Sequence, residues 1–416
     1  MKESSSYNKE SFSYDRISYI DRIESFVGKP VIKVLTGMRR AGKSVLLQQI
    51  RRHLLNKAVK AGAIFFVDKE SLEFESIATH RDLERETLRR LAKRKGYKCL
   101  IVDEVQEISD WERSVVSLMK IPGLDIFLSG SNAQMLSSEL ATLISGRYIE
   151  IPVYPLGFDE FLKFRGAKTE QRRAELATYL RYGGLPGIHH FPLTDTVVYQ
   201  YIRSVYDTIL LKDVIKHYQV RHIVLLENIV RYICDNLGNL FSANRIADYL
   251  KSQKLKIGVE TVLQYTSYLE AARLLFRARR FDIKGKRHLE LMQKLYLGDI
   301  GLRHALLGFR EGELSGVLEN VVYLELNRRG YQVNVGKLAE KEIDFIATKE
   351  NRKIYVQVAY SVSSQQTIKR EFGSLLMVDD NYPKYVVSLD DTFGSYHQGI
   401  KRWHLMDFLL DKREFS

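Results

Sequence analysis

The run Val31-Ile32-Lys33-Val34-Leu35-Thr36-Gly37-Met38-Arg39-Arg40-Ala41-Gly42-Lys43-Ser44-Val45-Leu46 decides how this chain is read. Residues 31–36 have the pattern of a buried strand, 45–50 continue as a helix, and the stretch from Gly37 to Ser44 fills every fixed position of G-x-x-x-x-G-K-[S/T]. In a strand–loop–helix setting, two glycines let backbone N–H groups curl round a phosphate, and the helix N-terminus adds its positive end. Lys43 then reaches the β- and γ-phosphates, and Ser44 offers a hydroxyl to Mg²⁺. Gly37, Arg40, Ala41, Gly42, Lys43, Ser44 and Val45 are the expected nucleotide-contacting residues.

Further strands follow. Ala63–Asp68 reads as a second buried strand, and Cys99-Leu100-Ile101-Val102 runs directly into Asp103-Glu104. An acidic residue at the carboxyl end of a parallel strand beside a P-loop holds Mg²⁺, so Asp103 takes that role with Ser44. The carboxylate one residue on, Glu104, polarises an attacking water, which places the chain on the hydrolytic side of P-loop chemistry. No Asn-Lys-x-Asp guanine-reading motif occurs, so ATP is expected rather than GTP. Asp125–Asn132 is a fourth strand closing on polar residues; Asn132 either contacts the γ-phosphate or the water, or caps the next helix. Tyr148–Val153 is a fifth strand, preceded by the turn Gly146-Arg147.

The bulk numbers set limits on the rest. At 416 residues the chain divides into several compact units, and 45% hydrophobic residues fit a globular protein. Only Cys99 and Cys234 are present, too few for a disulfide framework or a cysteine-based zinc site. Neither the polar first fourteen residues nor any later window provides a signal peptide or a membrane-spanning run, so a cytoplasmic location with no membrane partner is expected. A formal charge of +13 raises nucleic acid as a partner.

Beyond residue 157 the pattern is helical, broken at Gly183-Gly184-Leu185-Pro186, with Pro186 a candidate for lining the adenine pocket. Ser242 is placed to cap the helix 243–250, and a turn through Gly258 leads to a second helix, 259–271, which is helix-turn-helix spacing. The stretch from Arg273 to Arg287 reads as a basic hairpin with its tip at Gly285; Arg277, Arg279, Arg280, Lys284, Lys286 and Arg287 are its candidate DNA-phosphate contacts. In the last part, residues 317–328 form a helix, and 342–347 pairs with 354–359 as a hairpin.

The P-loop, Asp103-Glu104, Gly130-Ser131-Asn132, Gly146-Arg147, Pro155-Leu156-Gly157-Phe158, Gly183-Gly184-Leu185-Pro186, Asp299-x-Gly301-Leu302, Leu318-Glu319-Asn320 and Glu342-x-Asp344-Phe345 occur in this order. With them the chain resembles a prokaryotic family of AAA-type ATPases whose C-terminal half is a domain of unknown function. The resemblance implies an α/β P-loop (ASCE) core, with a parallel sheet in the order 5-1-4-3-2. After the core it implies a helical lid, a winged helix and a C-terminal domain similar to the restriction-endonuclease, or PD-(D/E)XK, fold. Arg147 stands where ring-forming AAA proteins carry an arginine that reaches a neighbouring subunit's active site and contributes about 10³–10⁵ in rate; an arginine after a turn glycine is otherwise a cap or surface residue.

The expected divisions are a tail to residue 14, the core at 15–156, the lid at 157–222, the winged helix at 223–290 and the nuclease-like domain at 291–416. In that last domain Asp344 and Glu319 fit the nuclease pattern, but Gln357 stands where a glutamate is required and Ala359 where a lysine is. Alanine can neither orient nor activate water, so the domain is expected to bind or assemble rather than cut. Two function classes follow: an oligomeric Mg²⁺-dependent ATPase that remodels or moves DNA, branched or single-stranded, and an ATP-operated switch acting on a protein partner.

Overall fold

Strands β1 (Ile32–Thr36), β3 (Lys98–Asp103) and β4 (Leu124–Gly130) are apolar towards both faces, and only the middle of a sheet covered on both sides accommodates them. The computed structural model describes residues 14–131, 146–255, 257–391 and 396–411, leaving aside the side chains of residues 290 and 291. It places these strands inside a five-stranded sheet in the order β2-β3-β4-β1-β5, with β2 (Ile64–Asp68) and β5 (Tyr148–Pro152) at its edges. Every pairing is parallel, and the order is the one the family resemblance implies.

Side chains alternate between two cores, as a period of two demands. Ile32, Val34, Leu100, Val102, Ile126 and Leu128 pack with helices α3 (His80–Leu91) and α4 (Trp111–Leu118). Leu35, Cys99, Ile101 and Phe127 pack on the other side with α1 (Ile17–Glu24) and α2 (Lys43–Asn56). Lys33, pointing into the sheet, is fully buried and pairs with Asp125 on the neighbouring strand. Gly28 N–H and Tyr97 O–H donate to the same carboxylate at 2.8 and 2.9 Å, so the buried charge is met from several sides. This first compact unit runs to Val153 and also includes Ala271–Arg273.

The second unit comprises Tyr154–Glu270 and Leu274–Ser416. Its helical part contains α5 (Phe158–Arg165), α6 (Arg172–Tyr182) and α7 (Asp195–Thr208), which continues into a π-helical stretch at Ile209–Lys216. Next come α8 (Ile223–Asp235), the short strand β6 (Leu240–Phe241), α9 (Ala243–Ser252) and α10 (Val259–Ala271). Ser242 caps α9 by accepting from the N–H of Arg245, as its position suggested.

The hairpin β7 (Leu275–Asp282) and β8 (Arg287–Leu297) leads through α11 (Ile300–Leu307) and α12 (Leu314–Arg328) to β9 (Gln332–Leu338), β10 (Lys341–Lys349) and β11 (Arg352–Val358). The end is α13 (Gln365–Leu376), β12 (Lys384–Ser388), β13 (Tyr396–His397), β14 (Ile400–His404) and α14 (Leu405–Leu410). β10 and β11 pair antiparallel, Phe345 opposite Val356, as the sequence suggested.

One sheet joins what the sequence divides. Its order is β13-β14-β12-β11-β10-β9-β7-β8-β6, and β7 pairs in parallel with β9, Arg280 opposite Val335. β8 continues through residues 290 and 291, with a shift of register against β7 between the pairs Arg280–Leu289 and Ala278–Lys294. The basic hairpin is therefore hydrogen-bonded into the C-terminal sheet along one edge instead of projecting as an independent wing.

The Gly183-Gly184 break is a joint within this unit. A Cβ on Gly183, whose φ is +77°, would lie 2.1 Å from Asp299 Oδ1, and one on Gly184 would lie 2.2 Å from the Leu156 carbonyl oxygen. Asp299 is buried and accepts from the N–H groups of Gly184 and Gly301 at 2.7 and 2.8 Å. The motifs around residues 183 and 299 are thus two halves of one contact.

Candidate active site

The loop between β1 and α2 is shaped by two glycines. A Cβ on Gly37 would lie 2.2 Å from the Val153 carbonyl oxygen, and Gly42, at φ +97°, turns the chain into α2. The first bond of that helix runs from Leu46 N–H to Gly42 O, so the N–H groups of Lys43, Ser44 and Val45 have no partner within the helix and form an anion-binding end. Lys43 is buried; its ammonium donates to the carbonyls of Gly37 at 3.0 Å and Met38 at 3.3 Å and lies 3.8 Å from Glu104 Oε1. Arg40 is exposed in the left-handed region at φ +65°, Ala41 is fully buried, and Val45 is exposed. Behind the loop the buried Arg16 donates to Ala41 O at 3.2 Å, a support the sequence did not reveal.

Asp103 ends β3 with its carboxylate buried, and hydroxyls from Ser129 on β4 and Ser44 on α2 both bond to it. Burial raises its pKa above the ordinary value; the two hydroxyls oppose that rise, Glu104 adds to it, and Lys43 also opposes it. Glu104 adopts a left-handed conformation at φ +53°, donates its N–H to Ser129 Oγ at 3.1 Å and accepts at Oε2 from the Gln106 amide. Ser129 and Gln106 are the site residues that motif reading missed. Ser129 was visible only as a polar side chain near the end of an apolar strand, and Gln106 carried no signal.

Lys43, Ser44, Asp103 and Glu104 are thus brought together. A hydroxyl and a carboxylate are the hard oxygen donors that suit Mg²⁺, which takes its remaining ligands from phosphate and water. Among the described residues no group of three or more His, Cys, Asp or Glu is arranged to hold a metal without such help.

The remaining candidates are not among these contacts. Asn132 lies outside the described residues. Arg147 is exposed at the turn before β5, its carbonyl accepting from Ile32 N–H at 2.8 Å. Pro186 belongs to the second unit, where it opens a short helical turn, Pro186–His190. Arg273 belongs to the first unit and pairs with Glu150 at 2.5 Å.

Arg277 is paired with Glu270 at 2.5 Å and bonded to Gln293 at 3.0 Å, so it is engaged within the fold. Arg280 is half-buried, and its Nε has no hydrogen-bond partner. Arg279, Lys284, Lys286 and Arg287 are exposed on the hairpin.

Glu319 and Asp344 share a cationic partner on β8, and Asp344 also contacts Gln357. Asp344 N–H donates to Gln357 Oε1 at 3.3 Å, and the Gln357 amide donates to Glu371 at 2.9 Å. The surprise is Lys294, whose ammonium lies 2.7 Å from Glu319 and 3.2 Å from Asp344. Burial alone would lower its pKa, but Glu319, Asp344 and Glu342 outweigh that and hold it above the ordinary lysine value.

Comparison with known proteins places these features. A family model described as an AAA domain matches residues 29–162, and one described as a domain of unknown function matches residues 173–313. An uncharacterized protein of Haemophilus influenzae is 34% identical over 404 residues, covering 95% of this chain and 98% of that protein. An uncharacterized protein of Methanocaldococcus jannaschii is 32% identical over 345 residues, covering 80% and 75%.

Among solved structures, the Walker-type ATPase PABY2304 of Pyrococcus abyssi is similar at 17% identity and a TM-score of 0.48, covering 72% of this chain and 97% of that one. The Aeropyrum pernix Orc1 protein in complex with DNA is similar at 11% identity and a TM-score of 0.32, covering 71% and 93%. Likenesses at that level say nothing about activity. From the strand order, the P-loop with its acidic strand end, the AAA-domain match and the near full-length relative, the chain belongs to a prokaryotic family of AAA-type P-loop ATPases.

Proposed function

We propose that the chain is a Mg²⁺-dependent ATPase that works as a ring-shaped homo-oligomer, binds DNA and couples hydrolysis to remodelling or moving it. The observation that carries this is the meeting of Lys43, Ser44, Asp103 and Glu104 at one end of the parallel sheet. Lys43 and the start of α2 bind and orient the triphosphate, exchanging the loop carbonyls for phosphate oxygens. Ser44 and Asp103 hold the metal, which supplies charge neutralisation on the transferring phosphate. Glu104 takes the proton from the attacking water, and the Gln106 amide positions that carboxylate. In this reading Asn132 senses the γ-phosphate, Pro186 borders the adenine, and Arg147 completes a neighbouring subunit's site.

For DNA, the support is the exposed set Arg279, Lys284, Lys286 and Arg287, which follows helices α9 and α10, in helix-turn-helix order, along the chain. Changing all four to alanine is expected to weaken duplex binding and flatten its salt dependence by about 0.9 in log–log slope for each phosphate that is no longer neutralised. Unchanged affinity and slope would remove the hairpin from the DNA interface.

A second reading, a nucleotide-operated switch on a protein partner, is favoured by one feature. The outward residues of α10 are Glu260, Leu263, Gln264 and Ser267, and that helix carries no lysine or arginine. ATP turnover that no DNA form stimulates, together with no DNA binding, would select it. The C-terminal domain is read as nuclease-like in fold without cleavage, because Gln357 and Ala359 replace the required acid and base. Mg²⁺-dependent cutting abolished by Asp344→Ala would overturn that.

A further inference from the structure

The phosphate-binding loop carries two adjacent arginines in opposite surroundings. Arg40 is exposed, whereas Arg39 is 8% exposed and its guanidinium lies 3.5 Å from Glu70, whose side chain is 55% exposed. Glu70 follows the end of β2 and is tied there. Lys69 N–H donates to Asp103 O at 3.4 Å, and Glu70 N–H donates to Asp68 Oδ1 at 2.9 Å. An ion pair with one partner half in water contributes little to stability, so fold stability is a weak reason for a buried arginine at this position.

Topology gives a stronger one. In the sheet β1 and β2 are separated by β4 and β3, which sets their axes about 14 Å apart. A residue of the loop after β1 therefore meets one after β2 only by passing over the carboxyl ends of β4 and β3, and Asp103 and Glu104 stand at the end of β3. The Arg39–Glu70 contact thus closes over the space that the start of α2, Lys43, Asp103 and Glu104 border. Both cations of the loop rest on groups that a triphosphate can replace: Lys43 on two loop carbonyls with Glu104 3.8 Å away, and Arg39 on Glu70.

On the reading of this site as an ATPase centre, we propose that Arg39 is a catalytic arginine acting within its own chain, which leaves Glu70 for the γ-phosphate when ATP enters, and that Glu70 holds it while the site is empty. In the reaction the water oxygen bonds to the γ-phosphorus as the bond from that phosphorus to the β–γ bridging oxygen breaks. Glu104 takes the water's proton, and ADP and phosphate are released. Negative charge grows on the bridging oxygen and is spread over the γ-phosphate oxygens, where a guanidinium fork meets it with two N–H donors. ADP has no γ-phosphate, so Arg39 returns to Glu70 once phosphate has left.

The test measures ATP affinity, ADP affinity and ATP turnover of the full-length chain, with circular dichroism to confirm folding. Arg39→Ala is expected to bind ADP as wild type does and to turn ATP over about 10³–10⁵ times more slowly. Glu70→Gln breaks the same ion pair but frees the arginine. It is expected to bind ATP about two- to fivefold more tightly with ADP affinity unchanged, the range of an exposed pair that no longer has to be broken, and to keep hydrolysing ATP. A merely structural pair makes the two variants behave alike, so turnover lost equally in both overturns the proposal. Mixing Arg39→Ala chains with Lys43→Ala chains is expected to restore no turnover; recovery on mixing would put Arg39 in a neighbour's site and overturn its action within the chain. If Arg39→Ala does not fold, Arg39→Lys takes its place, keeping the charge without the fork, and turnover equal to wild type overturns the proposal. Turnover that Lys43→Ala abolishes and Arg39→Ala keeps overturns this proposal alone, whereas equal turnover by wild type and Lys43→Ala removes the ATPase reading and the role of Arg39 with it.

Discussion

Replacing Ser129 with alanine removes one hydroxyl that holds both acidic residues of the site. Its Oγ donates to Asp103 Oδ1 and accepts from Glu104 N–H at 3.1 Å, in a position with no solvent exposure. A hydrogen bond to a charged acceptor contributes about 1.5–3 kcal/mol. At 1.36 kcal/mol per pKa unit, its loss moves Asp103 upward by roughly one to two units, on top of the rise burial already causes.

Asp103 must be ionised to help hold Mg²⁺, so the acid limb of the kcat/KM profile is expected to move to higher pH by that amount. The alkaline plateau changes less. Stability shifts in a matching sense: a carboxyl whose folded pKa is raised stabilises the nucleotide-free fold at low pH and loses that contribution as pH rises through the folded value. The assay is ATP turnover from pH 5 to 9 at saturating Mg²⁺, with circular dichroism to confirm folding. A folded Ser129→Ala chain whose acid limb coincides with wild type would refute this account of Asp103.

Two further outcomes concern the scaffold. Asp125→Ala leaves Lys33 charged and unpaired in the sheet, with Gly28 N–H and Tyr97 O–H unmatched, and should cost about 3–5 kcal/mol by urea unfolding; stability equal to wild type would show the pair to be inert. Asp299, pushed up to about 7 by burial against the opposing Gly184 and Gly301 bonds, stabilises the fold at acidic pH and loses that contribution as pH rises from about 4 to 7. Asp299→Asn should flatten this dependence and cost about 1–3 kcal/mol at pH 5, because the two N–H groups donate to different oxygens and the amide NH₂ would face one of them; an unchanged pH profile of the melting temperature would exclude Asp299 as its source.

The core was legible because its signals are local. Four apolar runs at regular intervals, one glycine-lysine loop and an acidic strand end specify a parallel sheet and the residues at its carboxyl edge. The strand order and the pairing of residues 342–347 with 354–359 followed from the family resemblance and from alternation.

What stayed hidden depends on partners far apart in sequence. Ser129 acts through a strand neighbour 26 residues away, and Lys294 is defined by acids 25 to 50 residues downstream. The break at Gly183 and Gly184 was visible in the sequence, but the close approach of Asp299 and Leu156 that requires glycine there was not. The basic hairpin looked free because charge is visible in a sequence and its pairing with β9 is not.

The most direct test of the central claim compares ATP binding and turnover in wild type, Lys43→Ala and Glu104→Gln. Lys43→Ala is expected to lose nucleotide binding, whereas Glu104→Gln is expected to bind ATP as wild type does and to turn it over about 10²–10⁴ times more slowly, the loss expected for a positioned general base. Turnover by Glu104→Gln equal to wild type would contradict the assignment of hydrolysis to this site.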